Sequence, residues 1–167
     1  MNKKLPVGIQ TFENLIREGY YYVDKTRFLQ EMAFQGKYYF LSRPRRFGKS
    51  LFLSTIKSAF EGKQDLFHGL YLEDHWDWSR VHPVVHISFG SGMIRDTEEL
   101  KTTFSEILYD HARQYDLSFE KKSLKGRFSE LIHRLHEMYD QNVVILVDEY
   151  DKPMLDNIEN TETAVTL

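Results

Sequence analysis

At 167 residues the chain suits one domain and is too short for two complete ones, and its 41% hydrophobic, 28% charged and 14% aromatic residues promise a substantial core. A formal charge of −3 and a pI near 6.2 exclude a global pull on nucleic acid, so a polyanion contact would fall to the local cluster Arg43, Arg45, Arg46 and Lys49. Without cysteine there is no disulfide, thiolate metal site or cysteine nucleophile; without an export signal or an apolar run near the ~20 residues of a membrane span, a cytoplasmic protein with no membrane partner is expected.

Phe12, Leu15 and Ile16 recur at helical spacing ahead of Gly19 and predict a short entry helix. After the tyrosines at 20 to 22, Phe28, Leu29, Met32 and Phe34 predict a second helix from about Thr26 to Phe34. Lys37 to Ser42 (KYYFLS) is a short apolar run between a glycine and an arginine-proline stretch, the composition of a buried parallel strand. Leu51, Leu53, Ile56, Ala59 and Phe60 then share one stripe of a helix over 49–60 that Gly62 stops. Residues 65–80 keep no period and read as a loop with a turn of helix, packed by Trp76 and Trp78. A second strand is expected over 83–89, with proline at its start, followed by helices over 96–115 and 128–139. Val143 to Val147 are consecutive branched apolar residues, read as a fully buried central strand that delivers Asp148 and Glu149 at its carboxyl end. Strands alternating with helices argue for an α/β fold around a parallel sheet.

The segment Arg43-Pro44-Arg45-Arg46-Phe47-Gly48-Lys49-Ser50 matches the phosphate-loop pattern GxxxxGK[ST] at its last three positions, with Arg43 in place of the first glycine. A loop between a strand and a helix aims backbone N–H groups and the positive helix terminus at one spot, where phosphate can sit. Gly48 would let the backbone approach the anion, Lys49 would reach the β and γ oxygens, and the Ser50 hydroxyl would ligate Mg²⁺. Leu51 completes the binding stretch on the helix. Arg43 before Pro44 presets the loop through an extended backbone, where glycine would leave it free. Gly-Lys-Ser alone would equally suit a surface turn. The acidic strand end decides for a nucleotide site, with Asp148 as the Mg²⁺ partner of Ser50 and Glu149 polarising the attacking water.

The string RPRRFGKSLFLSTIKSAFEGK, with YYVDKT upstream and VVILVDEYDKP downstream, resembles the prokaryotic AAA-ATPase-like family of predicted P-loop ATPases over nearly the whole chain. That resemblance implies a P-loop NTPase-like three-layer sandwich, with Walker A at 43–50 and Walker B at 143–149, binding ATP with Mg²⁺ and hydrolysing it. Family members continue past this length, commonly into a domain similar to PD-(D/E)XK nucleases, so residues 1–167 read as the amino-terminal part of the ATPase domain, incomplete at the carboxyl end. The resemblance also places a further strand between the Walker A and Walker B strands, and the 18 residues after Glu149 hold no convincing one. Hydrolysis in such enzymes needs a γ-phosphate sensor and usually an arginine finger, often from a neighbouring subunit; neither has an assignable residue here. The expected partners are therefore nucleotide, a homo-oligomer or a further carboxyl-terminal domain, and nucleic acid through a longer protein alone. The alternative function is a nucleotide-binding or interaction module without turnover.

His82 and His86 have i, i+4 spacing but flank a strand start, and His133 with His136 sit on a helix beside Glu137; no metal site is expected at either pair. Trp76 and Trp78 are expected in the core rather than against a base. Base contacts are expected between Tyr20 and Thr26, with Asp24 as the polar contact.

Overall fold

The computed structural model describes residues 3–42, 44 and 47–158. The chain divides between His82 and Pro83 into two compact units, Met1–His82 and Pro83–Leu167.

In the first unit, α1 (Phe12–Arg17) packs on α3 (Lys49–Phe60). Phe12 and Leu15 are fully buried, each worth about 1.5–3 kcal/mol of transfer free energy. The Phe12 ring meets Tyr22 edge-on at 5.0 Å and lies 4.9 Å from Phe67, while its backbone N–H donates to Ser54 Oγ at 3.0 Å. Two 3-10 turns, Gln64–Phe67 and Tyr71–Glu73, supply the buried Leu66, Phe67 and Leu72. Trp76 packs on Phe60 and Trp78 on Phe67, both with centroids 5.0 Å apart, and Trp78 Nε1 donates to the Glu73 carbonyl. Both tryptophans thus serve packing, as their sequence context predicts.

The second helix, α2 (Thr26–Gln35), is as expected in extent and different in orientation. Leu29 is buried, but Phe28 is 54% and Phe34 78% exposed, so the aromatic members of the stripe turn away from the core. The strand expected over Lys37–Ser42 is not formed: these residues lie in no helix or strand, and Tyr38 is 95% exposed. Strand propensity in an aromatic run measures how well it fits a neighbouring pleated surface. Here the Tyr39 hydroxyl instead donates to the Met32 carbonyl at 2.6 Å, turning the run back against the end of α2.

The second unit holds a parallel pair, β1 (Val84–Ser88) and β2 (Val144–Asp148), in register from Val84↔Val144 to Ser88↔Asp148. Parallel neighbours need a long crossover, and α4 (Thr97–Gln114) with α5 (Leu124–Tyr139) provides it. Asp96 caps α4 by accepting from the Glu98 and Glu99 amides, and Ser123 caps α5 by accepting from Gly126. That serine starts α5 four residues before the expected Phe128. Val85 and Ile87 of β1 pack with Leu108, Leu131 and Leu135 of the two helices. His111 ties α4 to β1, its Nε2 lying 3.1 Å from the His86 amide nitrogen and 3.0 Å from its carbonyl oxygen.

The architecture is α/β, with a sheet of two parallel strands rather than three among the described residues. Nor is β2 a fully buried strand. Leu146 and Asp148 are buried, whereas Ile145 and Val147 are 42% and 44% exposed, so one face of the branched run meets solvent. A short helix, α6 (Lys152–Asp156), follows with proline in its first turn, a start signal the sequence carries. Among the described residues no helix is long and apolar enough to cross a membrane.

Candidate functional site

The predicted site residues form two groups, one in each unit, and each group is described within its own unit. Arg43, Arg45 and Arg46 lie outside the described residues; Pro44 and Phe47 are exposed.

The first group is the amino terminus of α3. Gly48 precedes the helix in the left-handed conformation, φ 73° and ψ 29°, which an L side chain adopts only at a cost. Among the described residues a Cβ built there would meet nothing within 4 Å. No side chain among the described residues caps α3. The N–H groups of the first turn, which α4 and α5 satisfy in part through Asp96 and Ser123, are thus left without a side-chain acceptor at Gly48. Lys49, Ser50 and Leu51 sit half-buried on that turn. The helix is held from behind, since Phe52, Thr55, Ile56, Ser58 and Ala59 are buried and Tyr22 Oη lies 3.4 Å from Thr55 Oγ1. A rigid, uncapped helix start after a left-handed glycine is suited to an anion.

The second group is the carboxyl end of β2. Asp148 is buried to 8% exposure, and its Oδ1 accepts the Glu149 N–H at 3.0 Å. Glu149 is exposed and has φ +53°, a left-handed conformation that is uncommon for a glutamate. Ser88, the register partner of Asp148, ends β1 beside it. A Cβ on Gly90 would lie 3.5 Å from Glu149 Cγ, an ordinary van der Waals contact, so the Glu149 side chain passes beside the segment that follows β1. Strained backbone clusters at functional positions, although Asp116 and Asp140 share this conformation at turns, so the signal at Glu149 lies in its place at the carboxyl end of a parallel strand.

Among the described residues no group of three or more His, Cys, Asp and Glu could hold a metal ion. Magnesium is ordinarily held by one or two carboxylates together with substrate phosphates and water, and within the second unit the Asp148 carboxylate, at the end of β2, is a donor of that kind. The residue expected to meet a base does not fit that role. Asp24 Oδ1 accepts the Thr26 N–H at 2.8 Å and Oδ2 the Tyr71 N–H at 2.7 Å, so both oxygens are engaged in joining α2 to the 71–73 turn. Sequence reasoning missed a cleft of about 230 Å³ beside α2, lined in part by Phe28, Met32, Tyr39 and Phe52. Its one signal was the i, i+4 spacing of Phe28 and Met32, which equally suits a core stripe.

Residues 6–167 match the AAA-ATPase-like family, described as "Predicted AAA-ATPase". An "Uncharacterized protein in vnfD 5'region" from Azotobacter chroococcum mcd 1 is 52% identical over 164 residues, which are 97% of this chain and 32% of that protein. The chain therefore spans about a third of the length of this curated relative. No solved structure matches the chain.

Proposed function

The chain belongs to the AAA-ATPase-like family of predicted AAA-ATPases, and from that premise we propose that it binds ATP with Mg²⁺ and contributes to ATP hydrolysis within a longer AAA-like ATPase. The observation that carries the reading is the uncapped start of α3, where left-handed Gly48 leads into Lys49 and Ser50. In this reading the N–H groups of the first turn and the Lys49 ammonium bind the phosphates, with Arg43, Pro44, Arg45, Arg46 and Phe47 forming the loop around them and Leu51 seating the turn. Ser50 and Asp148 would hold the magnesium ion, which when bound would supply Lewis-acid polarisation of phosphoryl oxygens. Glu149 orients a water molecule and takes its proton. The complete fold is then a P-loop NTPase sandwich, and any homo-oligomer, added domain or nucleic-acid contact belongs to the longer protein.

A second reading, in which nucleotide is held without turnover, is favoured by Arg43 where the phosphate-loop pattern has its first glycine. Binding is common to both readings and is tested first. Titration of labelled ATP with Mg²⁺ should give at least tenfold weaker binding to Lys49→Ala than to the parent chain, the loss of one charge-assisted contact of about 1.5–3 kcal/mol. Equal affinity would remove the site from α3.

A further inference from the structure

Beside the phosphate-binding turn, the first unit holds a cleft whose chemistry differs from that of the turn. It is about 230 Å³ in volume. Its apolar walls are Phe28 and Met32 of α2, Tyr39 of the following segment and Phe52 of α3, with Lys25 just before α2 and Glu31 and Gln35 along it supplying polar groups. Phe28 and Tyr39 are 54% and 50% exposed, so both rings offer area to a ligand as well as to the protein.

Two of the walls, Tyr39 and Phe52, are held in place by the protein. The Tyr39 hydroxyl is anchored on the Met32 carbonyl at 2.6 Å, which brings the ring against the end of α2. That approach depends on Gly36, because a Cβ there would come within 3.0 Å of the Tyr39 hydroxyl. Phe52 is buried at 9% exposure in the helix that begins at Lys49. Glu31 Oε1 receives Arg27 Nε at 3.2 Å, so its charge is partly matched within α2.

What belongs in such a cleft follows from its place in the chain. Leu41, a further lining residue, stands two positions before the Arg43–Ser50 loop, and Phe52 two positions after it. Two residues of helix rise only about 3 Å, so the cleft and the start of α3 are neighbours. A ligand with phosphates at the helix start and a flat heteroaromatic ring within reach of it would satisfy both. Aromatic faces with few polar groups suit a stacked base, and a glutamine carboxamide can both donate to and accept from an adenine edge.

We propose that the cleft between α2, Tyr39 and Phe52 is the subsite for the adenine base of the bound nucleotide. The proposal rests on the ATP reading given above and adds the place of the base. It moves that place from the Tyr20–Thr26 stretch, where Asp24 is structurally engaged, to the next turns of α2.

The test compares binding of Mg²⁺-ATP and of Mg²⁺-tripolyphosphate, which carries the phosphates without a base, to the full 167-residue chain. Phe28→Ala should weaken ATP by about tenfold, as expected for loss of one stacking partner, and leave tripolyphosphate unchanged. Met32→Trp, which fills the cleft, should do the same, and thermal unfolding of both variants checks that the fold is kept. Lys49→Ala should weaken both ligands. If Lys49→Ala weakens both while neither cleft variant affects ATP, the base subsite is wrong and the phosphate site stands. If Lys49→Ala affects neither ligand, the ATP reading fails and this proposal fails with it.

Discussion

Glu149 and Gly48 hold similar backbone angles for opposite reasons. Gly48, at φ 73°, has no Cβ to strain. Glu149, at φ 53°, carries a full side chain in the same region, where an L residue pays about 1–2 kcal/mol. Replacing it by alanine or by glycine removes the carboxylate equally, but only glycine removes the strain. Glu149→Gly should therefore be more stable than Glu149→Ala by about 1 kcal/mol in denaturant unfolding. Equal stabilities would mean that the turn is relaxed and its geometry carries no functional signal. The residue types of the site were legible in the sequence because Gly-Lys-Ser and Asp-Glu are chemical signatures. The backbone state of Glu149 was not, because it depends on the hydrogen bond from its N–H to Asp148 and on how the following helix is anchored.

At the scale of elements, α1 is joined to the end of α3 by charge as well as by packing. Glu13 receives Lys63 Nζ at 2.9 Å and Arg17 Nε at 3.0 Å, and Lys63 also lies 3.2 Å from Glu61. The hydrogen bond from Lys63, followed by that from Arg17, holds the Glu13 carboxyl below the ordinary glutamate range. A carboxylate depressed in the folded state binds fewer protons than in the unfolded one, so its contribution is present above the ordinary glutamate value of about 4.3 and is lost as pH falls below it. Glu13→Gln should therefore flatten the acid limb of the stability curve below about pH 4.3. An unchanged acid limb would show that the cluster contributes nothing, as many exposed ion pairs do. Helices were the most legible elements: the stripe Leu51 to Phe60 gave the extent of α3, and Gly62, at φ 73°, does follow its end. The run KYYFLS misled because its composition is that of a strand, whereas its structure depends on a neighbouring edge. Its tyrosine found a helix carbonyl instead.

The whole molecule comprises two units with separate cores, one around Phe12 and Phe67, the other around Val85, Leu108 and Leu131. The alternation of strands and helices made the α/β class legible, and the parallel pair bears it out. The burial of β2 was not legible, because a branched run reports a preference for burial and not what covers it: Ile145 and Val147, expected to be fully buried, are half-exposed. In the reading proposed here the sensor and arginine finger come from the longer protein or a neighbouring subunit, so the 167-residue chain should bind Mg²⁺-ATP yet turn it over well below the usual enzyme range of about 1–10³ s⁻¹. Steady-state phosphate release within that range would show that this length carries complete catalytic machinery.

The segment after β2 ties the acidic strand end to a distant loop. The Glu149 carbonyl accepts the Lys152 N–H at 3.0 Å, and the Lys152 ammonium reaches the Gly92 carbonyl and Asp156. Asp156 in turn receives the Ile94 N–H. The turn that carries Glu149 and the stretch beyond β1 are thus fastened together by one run of hydrogen bonds, although 60 positions of sequence separate Lys152 from Gly92.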